Sequence, residues 1–237
     1  MNRKTFIAIA LATLMLGMTG CEVKRSTPKK RTQISKTYTA EADPFCRISI
    51  ESLADVSYRQ DSVARVIVKG SRKAVAATTI SNKDEQLTIG YKTSHKLTRI
   101  SDDDVLKIEI CSPDLIEVEM RGAGSFKSEM PIDTDTLRIF MKGAGTISLD
   151  SIICDQLHAE LKGAGTLKVG PVKAQNCSLI LRGVGTMDGR FNDSGTVDCV
   201  LRGVGTIKLA GTAKHVSQSI KGTGTINTSD LKCTDEP

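Results

Sequence analysis

Lys142-Gly143-Ala144-Gly145-Thr146 is followed one period later by Lys162-Gly163-Ala164-Gly165-Thr166, and this pair decides how the 237-residue chain folds. The pattern opens at Arg121-Gly122-Ala123-Gly124-Ser125. It returns as Arg182-Gly183-Val184-Gly185-Thr186, Arg202-Gly203-Val204-Gly205-Thr206 and Lys221-Gly222-Thr223-Gly224-Thr225. The first glycines stand 21, 20, 20, 20 and 19 residues apart. Six copies at near-constant spacing mark a repeat architecture in which each period is one structural unit.

The residues before each turn alternate with a period of two. Leu137, Ile139 and Met141 become Leu157, Ala159 and Leu161, then Cys177, Leu179 and Leu181, then Val197, Cys199 and Leu201. After the turn a second apolar pair follows: Ile147 and Leu149, Leu167 and Val169, Ile207 and Leu209. Period-two alternation places one set of side chains on one face of a strand. Each period is thus two short strands and a corner, one coil of a β-solenoid whose equivalent strands stack in parallel.

The glycines supply the corner. A sharp bend needs backbone angles closed to residues with a Cβ, and stacking the same bend leaves no room for side chains. The small residue between the glycines is expected to point into the corner. The following Ser or Thr is expected to form a hydroxyl column. A phosphate-binding loop needs a helix directly after its glycines, and here strands follow. Calcium-binding β-roll repeats carry an Asp per unit where this chain has Thr or Ser, so no metal and no cofactor is expected.

Upstream, Arg47 to Ile50, Asp55 to Tyr58, Arg65 to Val68, Gln86 to Tyr91 and Val105 to Ile110 alternate as strands between polar breaks, and no segment shows helical spacing with caps. These strands are expected to cover one end of the stack.

Residues 1–20 read as a secretory leader. Arg3 and Lys4 give a basic start, Phe6 to Met18 an apolar stretch too short to span a bilayer, and Thr19-Gly20 a small-residue end before Cys21. Met18-Thr19-Gly20-Cys21 resembles the lipobox of bacterial lipoproteins, which implies acylation of Cys21. Residues 21–36 then form a polar basic tether. The chain carries 33 basic and 27 acidic residues. Without Arg3 and Lys4 the balance is 31 against 27, or +4, of which +5 lies in residues 22–36: Lys24, Arg25, Lys29, Lys30, Arg31 and Lys36 against Glu22. The remainder sums to −1, which argues against nucleic acid as a partner. The tether's charge suits an anionic membrane surface. Residues 37–113 make the N-terminal strand region, 114–233 the repeat region and 234–237 a tail.

Arg121, Lys142, Lys162, Arg182, Arg202 and Lys221 each follow an inward residue, so all six are expected to project outward in one row. The row is either an anion-binding edge or a set of aliphatic stems covering the glycine corners with their charges in water. His95, His158 and His215 fall in unrelated settings, and no catalytic arrangement follows from spacing. Cys46, Cys111, Cys154, Cys177, Cys199 and Cys233 show no recurring spacing and no C-x-x-C, which leaves their pairing open.

The segment from about Phe45 to Leu231 resembles the bacterial family known as the putative auto-transporter adhesin head GIN domain. The likeness rests on Ala54-Asp55-Val56-Ser57, Gln86-Leu87-Thr88-Ile89 and the recurring R/K-G-A/V-G-T/S turns. It implies an all-β, right-handed parallel β-helix of about 20 residues per coil, common in envelopes of the Bacteroidetes type, with no catalytic residues to transfer. The expected role is therefore non-catalytic binding by a lipid-anchored envelope protein, at the outer membrane, on its periplasmic or surface face. The expected partners are an acidic glycan or another envelope protein. The alternatives are a structural or assembly lipoprotein of the periplasm and a β-helix polysaccharide lyase or hydrolase.

Overall fold

The computed structural model describes residues 34–38, 44–92 and 105–234, the first of these as backbone only. The leader, Cys21, most of the tether, His95 and the last three residues lie outside the described residues.

The chain is a ladder of strands. In order these are β1 (Ile34–Tyr38), β2 (Arg47–Ile50), β3 (Leu53–Gln60), β4 (Arg65–Gly70), β5 (Thr78–Lys83), β6 (Gln86–Tyr91), β7 (Leu106–Ser112), β8 (Glu117–Met120) and β9 (Ala123–Ser128). They continue as β10 (Ile132–Asp133), β11 (Thr136–Met141), β12 (Ala144–Leu149), β13 (Ile152–Leu161), β14 (Ala164–Leu181), β15 (Val184–Leu201), β16 (Val204–Ile220) and β17 (Thr223–Cys233). One helix, α1 (Arg72–Ala77), joins β4 to β5.

From β8 onward every pairing is parallel, with a register equal to the sequence period. Leu137 lies on Leu157, Leu157 on Cys177 and Cys177 on Val197. The glycines stack likewise, Gly145 on Gly165, Gly185, Gly205 and then Gly224. This is the β-solenoid the repeat predicts, and its residues alternate inward and outward as written: Leu137, Ile139, Met141, Ile147 and Leu149 are all buried. A third short stretch completes each rung, with Ile132, Ile152, Val172 and Phe191 buried in one column.

The ladder continues through each corner. Lys162 and Gly163 both donate their N–H to the Met141 carbonyl at 2.9 Å, and Ala164 donates to Gly143 at 3.0 Å; the same three bonds recur one rung later on Leu161 and Gly163. A Cβ added at Gly163 would sit 1.8 Å from the Gly143 oxygen. Gly165 adds a φ of +141°, a region that L side chains avoid. These two demands are the physical reason for two glycines per corner. The residue between them departs from expectation. Val184 is 58% and Val204 51% exposed, and Ala144 and Ala164 are exposed too, because stacked carbonyls fill the inside of the bend and turn this side chain out to water.

The N-terminal strands cover one end of the stack, but not in chain order. The rung of β2 and β3 is sandwiched between β6 and β7 on one side and β8 and β9 on the other, all in parallel. Its corner, Ser52 to Asp55, lies under Gly122 to Ser125 and has no glycine. β4 and β5 then add antiparallel to β7 and β6, and β1 to β4. Ile34, Ser35 and Lys36, read from sequence as the tether's end, are in β1.

The helix was not expected. Its six residues make less than two turns, too short to show a 3.6-residue period. Its one legible signal is Ser71, whose Oγ accepts from the Ala74 N–H at 3.1 Å. Ala74, Val75 and Ala77 are buried, with Val75 against the position of Gly70 near Leu106.

Candidate functional site

The face made by the strands before the corner carries three outward columns. Nearest the corner stand Arg121, Lys142, Lys162, Arg182, Arg202 and Lys221, all exposed, in one row at the rung spacing. Two residues back the column reads Glu119, Phe140, Glu160, Ile180, Val200 and Ser219. The sequence reading found the first column and missed the second.

That second column changes the electrostatics. Glu119 and Glu160 are outward-facing but only 5% and 4% exposed, because longer neighbours lie over them. Arg121 Nε donates to Glu119 Oε2 at 2.8 Å, and Lys142 Nζ pairs with Glu119 Oε1. Two rungs on, Lys162 Nζ lies 3.0 Å from Glu160 Oε2 and Arg182 Nε 2.9 Å from Glu160 Oε1. Each carboxylate thus bridges cations on two successive rungs. Burial pushes the Glu119 carboxyl up, yet the hydrogen bonds from Lys142 and Arg121 outweigh it and hold the group below the usual glutamate range. A signal for this was legible: Glu119-Met120-Arg121 and Glu160-Leu161-Lys162 place acid and base on one face at strand spacing.

Arg202 and Lys221 have no such bridge. Their rungs carry Val200 and Ser219 in the second column, and among the described residues neither cation has a carboxylate partner. Charge left for an outside partner is therefore concentrated at the C-terminal end of the row.

The remaining candidates fall apart as sites. His158 is half-buried, its ring 5.6 Å from Phe140. Burial lowers its pKa, against the pull of Glu160. His215 is exposed on a different rung. Cys154, Cys177 and Cys199 are buried, and burial pushes their thiols up to about 11, 12 and 12. The six described cysteines are free thiols. Among the described residues no group of three His, Cys, Asp or Glu is placed to hold a metal. An open groove of about 720 Å³ runs along the third stretch, lined by Asp133, Asp135, Asp155, Lys173, Asn176 and Asp193 among others. It follows from the rung cross-section, which no local pattern in the sequence reveals. In the Ser/Thr column, Ser125 Oγ donates to Asp55 Oδ1 at 2.6 Å.

Comparison with known proteins agrees with the geometry. A family model described as "Putative auto-transporter adhesin, head GIN domain" matches residues 44–171 and 169–236. A crystal structure from Bacteroides fragilis, described as a putative adhesin, is 26% identical with a TM-score of 0.69, over 83% of this chain and 97% of that one. A second, described as a putative lipid binding protein from Parabacteroides distasonis, is 21% identical with a TM-score of 0.57, over 81% and 96%. Comparison with curated proteins returns no match.

Proposed function

Because the chain belongs to the auto-transporter adhesin head GIN domain family, we propose that it is a non-catalytic binding domain of the bacterial cell envelope that meets an anionic partner through its cationic row. Acylation of Cys21 would hold it at the outer membrane, with residues 22–33 as the basic spacer. An acidic glycan or another envelope protein is the partner class in this reading.

The observation that carries it is the asymmetry of the row. Four cations are satisfied by buried glutamates, whereas Arg202 and Lys221 stand exposed without a carboxylate partner among the described residues. The bridges favour a structural role for Arg121, Lys142, Lys162 and Arg182, which is the reading as an assembly element. Binding then belongs to the end of the row.

The test uses a polygalacturonate column. Arg202→Glu with Lys221→Glu should abolish retention of the chain if the row binds. Unchanged, salt-sensitive retention would assign binding to the tether and sink the reading. Protease shaving of intact cells addresses the surface: a domain that survives intact on the cell argues for the periplasmic role instead.

A further inference from the structure

The repeats are structurally equivalent, so chemistry that differs between them at one position is not demanded by the fold. Two positions beside the cationic row differ in the same direction. Between the corner glycines, the early rungs carry Ala144 and Ala164, the next two Val184 and Val204, and the last Thr223. The equivalent alanines show that the corner needs no larger side chain. The valines nonetheless stand 58% and 51% exposed. In the column on the other side of the row, Glu119, Phe140 and Glu160 give way to Ile180 and Val200, both half-buried, before Ser219 on the last rung.

Arg202, without a carboxylate partner among the described residues, rises between Val200 and Val204, and Lys221, equally without one, follows on the next rung beside Ser219 and Thr223. Exposed β-branched side chains gain nothing in water, and a cation on a long stem beside them can keep its charge at a polar boundary while its methylenes stay with the apolar groups. An edge with apolar residues set among cations is the pattern of surfaces that lie in the headgroup region of a bilayer. Its charge is complementary to anionic headgroups, which attract Lys and Arg near the surface.

A glycan is served less well by the same residues. Sugar faces stack on aromatic rings, and the chain has no Trp and 3% aromatic residues in all. Phe140, the aromatic of this face, lies on the early rungs under Lys142 and beside His158.

We propose that the late rungs of this face dock on an anionic phospholipid bilayer, with Val184, Val204, Ile180 and Val200 at the acyl boundary and Arg202 and Lys221 on phosphates. This rests on the reading of the row as the binding face and puts a bilayer in the place of the acidic glycan or envelope protein.

The experiment takes the chain from residue 22, which keeps every described element, and sediments it with phosphatidylcholine vesicles with and without 30 mole per cent phosphatidylglycerol. The parent should bind the anionic vesicles alone. Val184→Ser with Val204→Ser should weaken that binding about tenfold, as should Arg202→Glu with Lys221→Glu, because both kinds of contact are made together. Lys127→Glu with Lys168→Glu, exposed cations of the face after the corner, serves as the control and should cost less than about threefold by general charge alone. Circular dichroism checks that each variant is folded. Vesicle binding untouched by the serine pair but lost in the charge pair, with polygalacturonate retention lost alongside, would overturn the lipid assignment and leave the row a polyanion edge. Binding untouched by both pairs would overturn the row itself as the binding face.

Discussion

Gly165→Ala should be among the most damaging single substitutions in the chain. The residue has φ +141°, and an added Cβ would lie 2.0 Å from the Gly145 carbonyl oxygen and 2.8 Å from Met141 Cε. A carbon meets a carbonyl oxygen comfortably at roughly 3.3 Å or more, so the rung must lift by more than about 1 Å at the corner. The bonds in the way are Lys162 and Gly163 to Met141, at 2.9 Å each, and Ala164 to Gly143 at 3.0 Å. Lifting takes all three beyond useful length, at about 1 kcal/mol apiece. Holding an alanine near the left-handed region adds about 1–2 kcal/mol. The total is about 4–5 kcal/mol, a large part of what a domain has to lose. Gly224→Ala meets an equally close carbonyl, the Gly205 oxygen at 1.8 Å, but on the last rung of the stack. An end rung can fray without opening its neighbours, so its cost should be capped at about 1–2 kcal/mol. Ala164→Val, at an exposed position where later rungs carry valine, should stay within about 0.5 kcal/mol. Urea unfolding followed by far-ultraviolet circular dichroism measures all three. A Gly165→Ala loss below about 1 kcal/mol would refute the stacked-carbonyl account of the corner, and equal losses at 165 and 224 would refute the rung-by-rung account of stability.

The glutamate bridges give a second test: Lys162→Ala with Arg182→Ala leaves the buried Glu160 carboxylate without its cations. The expected loss is about 2 kcal/mol, less than the usual 3–5 for breaking a buried pair because both cations are half in water. Adding Glu160→Ile, the residue type that Ile180 supplies in the same column, should recover most of it; no recovery would show that the alanines act elsewhere. Glu119 sets a pH dependence. Its folded pKa lies below the unfolded value, so its contribution is present above about pH 4.3 and is lost as pH falls through the folded value. Glu119→Gln should therefore flatten the acid limb of the stability curve relative to the parent, and parallel limbs would contradict the bridge. The buried thiols act at the other end. Cys177 and Cys199, pushed up to about 12 by burial, keep their protons when folded, whereas the unfolded chain loses them from about pH 8.5, so stability should fall as pH rises past that point. Iodoacetamide at pH 8 should label exposed Cys233 in the native chain and reach Cys154, Cys177 and Cys199 only after denaturation, as peptide mass spectrometry would show.

The repeat region could be read from the sequence in detail because every contact in it is a neighbour contact. A 20-residue period with alternation inside it fixes which residues face inward, which position lies on which in the next rung, and where the bend must be glycine. The outward direction of all six row cations follows from the same alternation. The N-terminal region has no period, and there the order of rungs was decided by pairing alone: β2 and β3 lie between strands that come later in the chain, and nothing local to Arg47–Ile50 says so. The six-residue helix shows in the sequence only through its Ser71 cap, since its hold on the end of the core is tertiary.

For the row, sequence supplied the cations and structure supplied their state. Whether a lysine on a strand is free or bound depends on what stands two residues back and one rung away. Glu119 and Glu160 satisfy four of the six, while Val200 and Ser219 offer Arg202 and Lys221 no carboxylate. The outward turn of Val184 and Val204 was decided the same way, by carbonyls of the neighbouring rung that already fill the inside of the bend. Local periodicity determined where each side chain points, and stacking determined what it meets there.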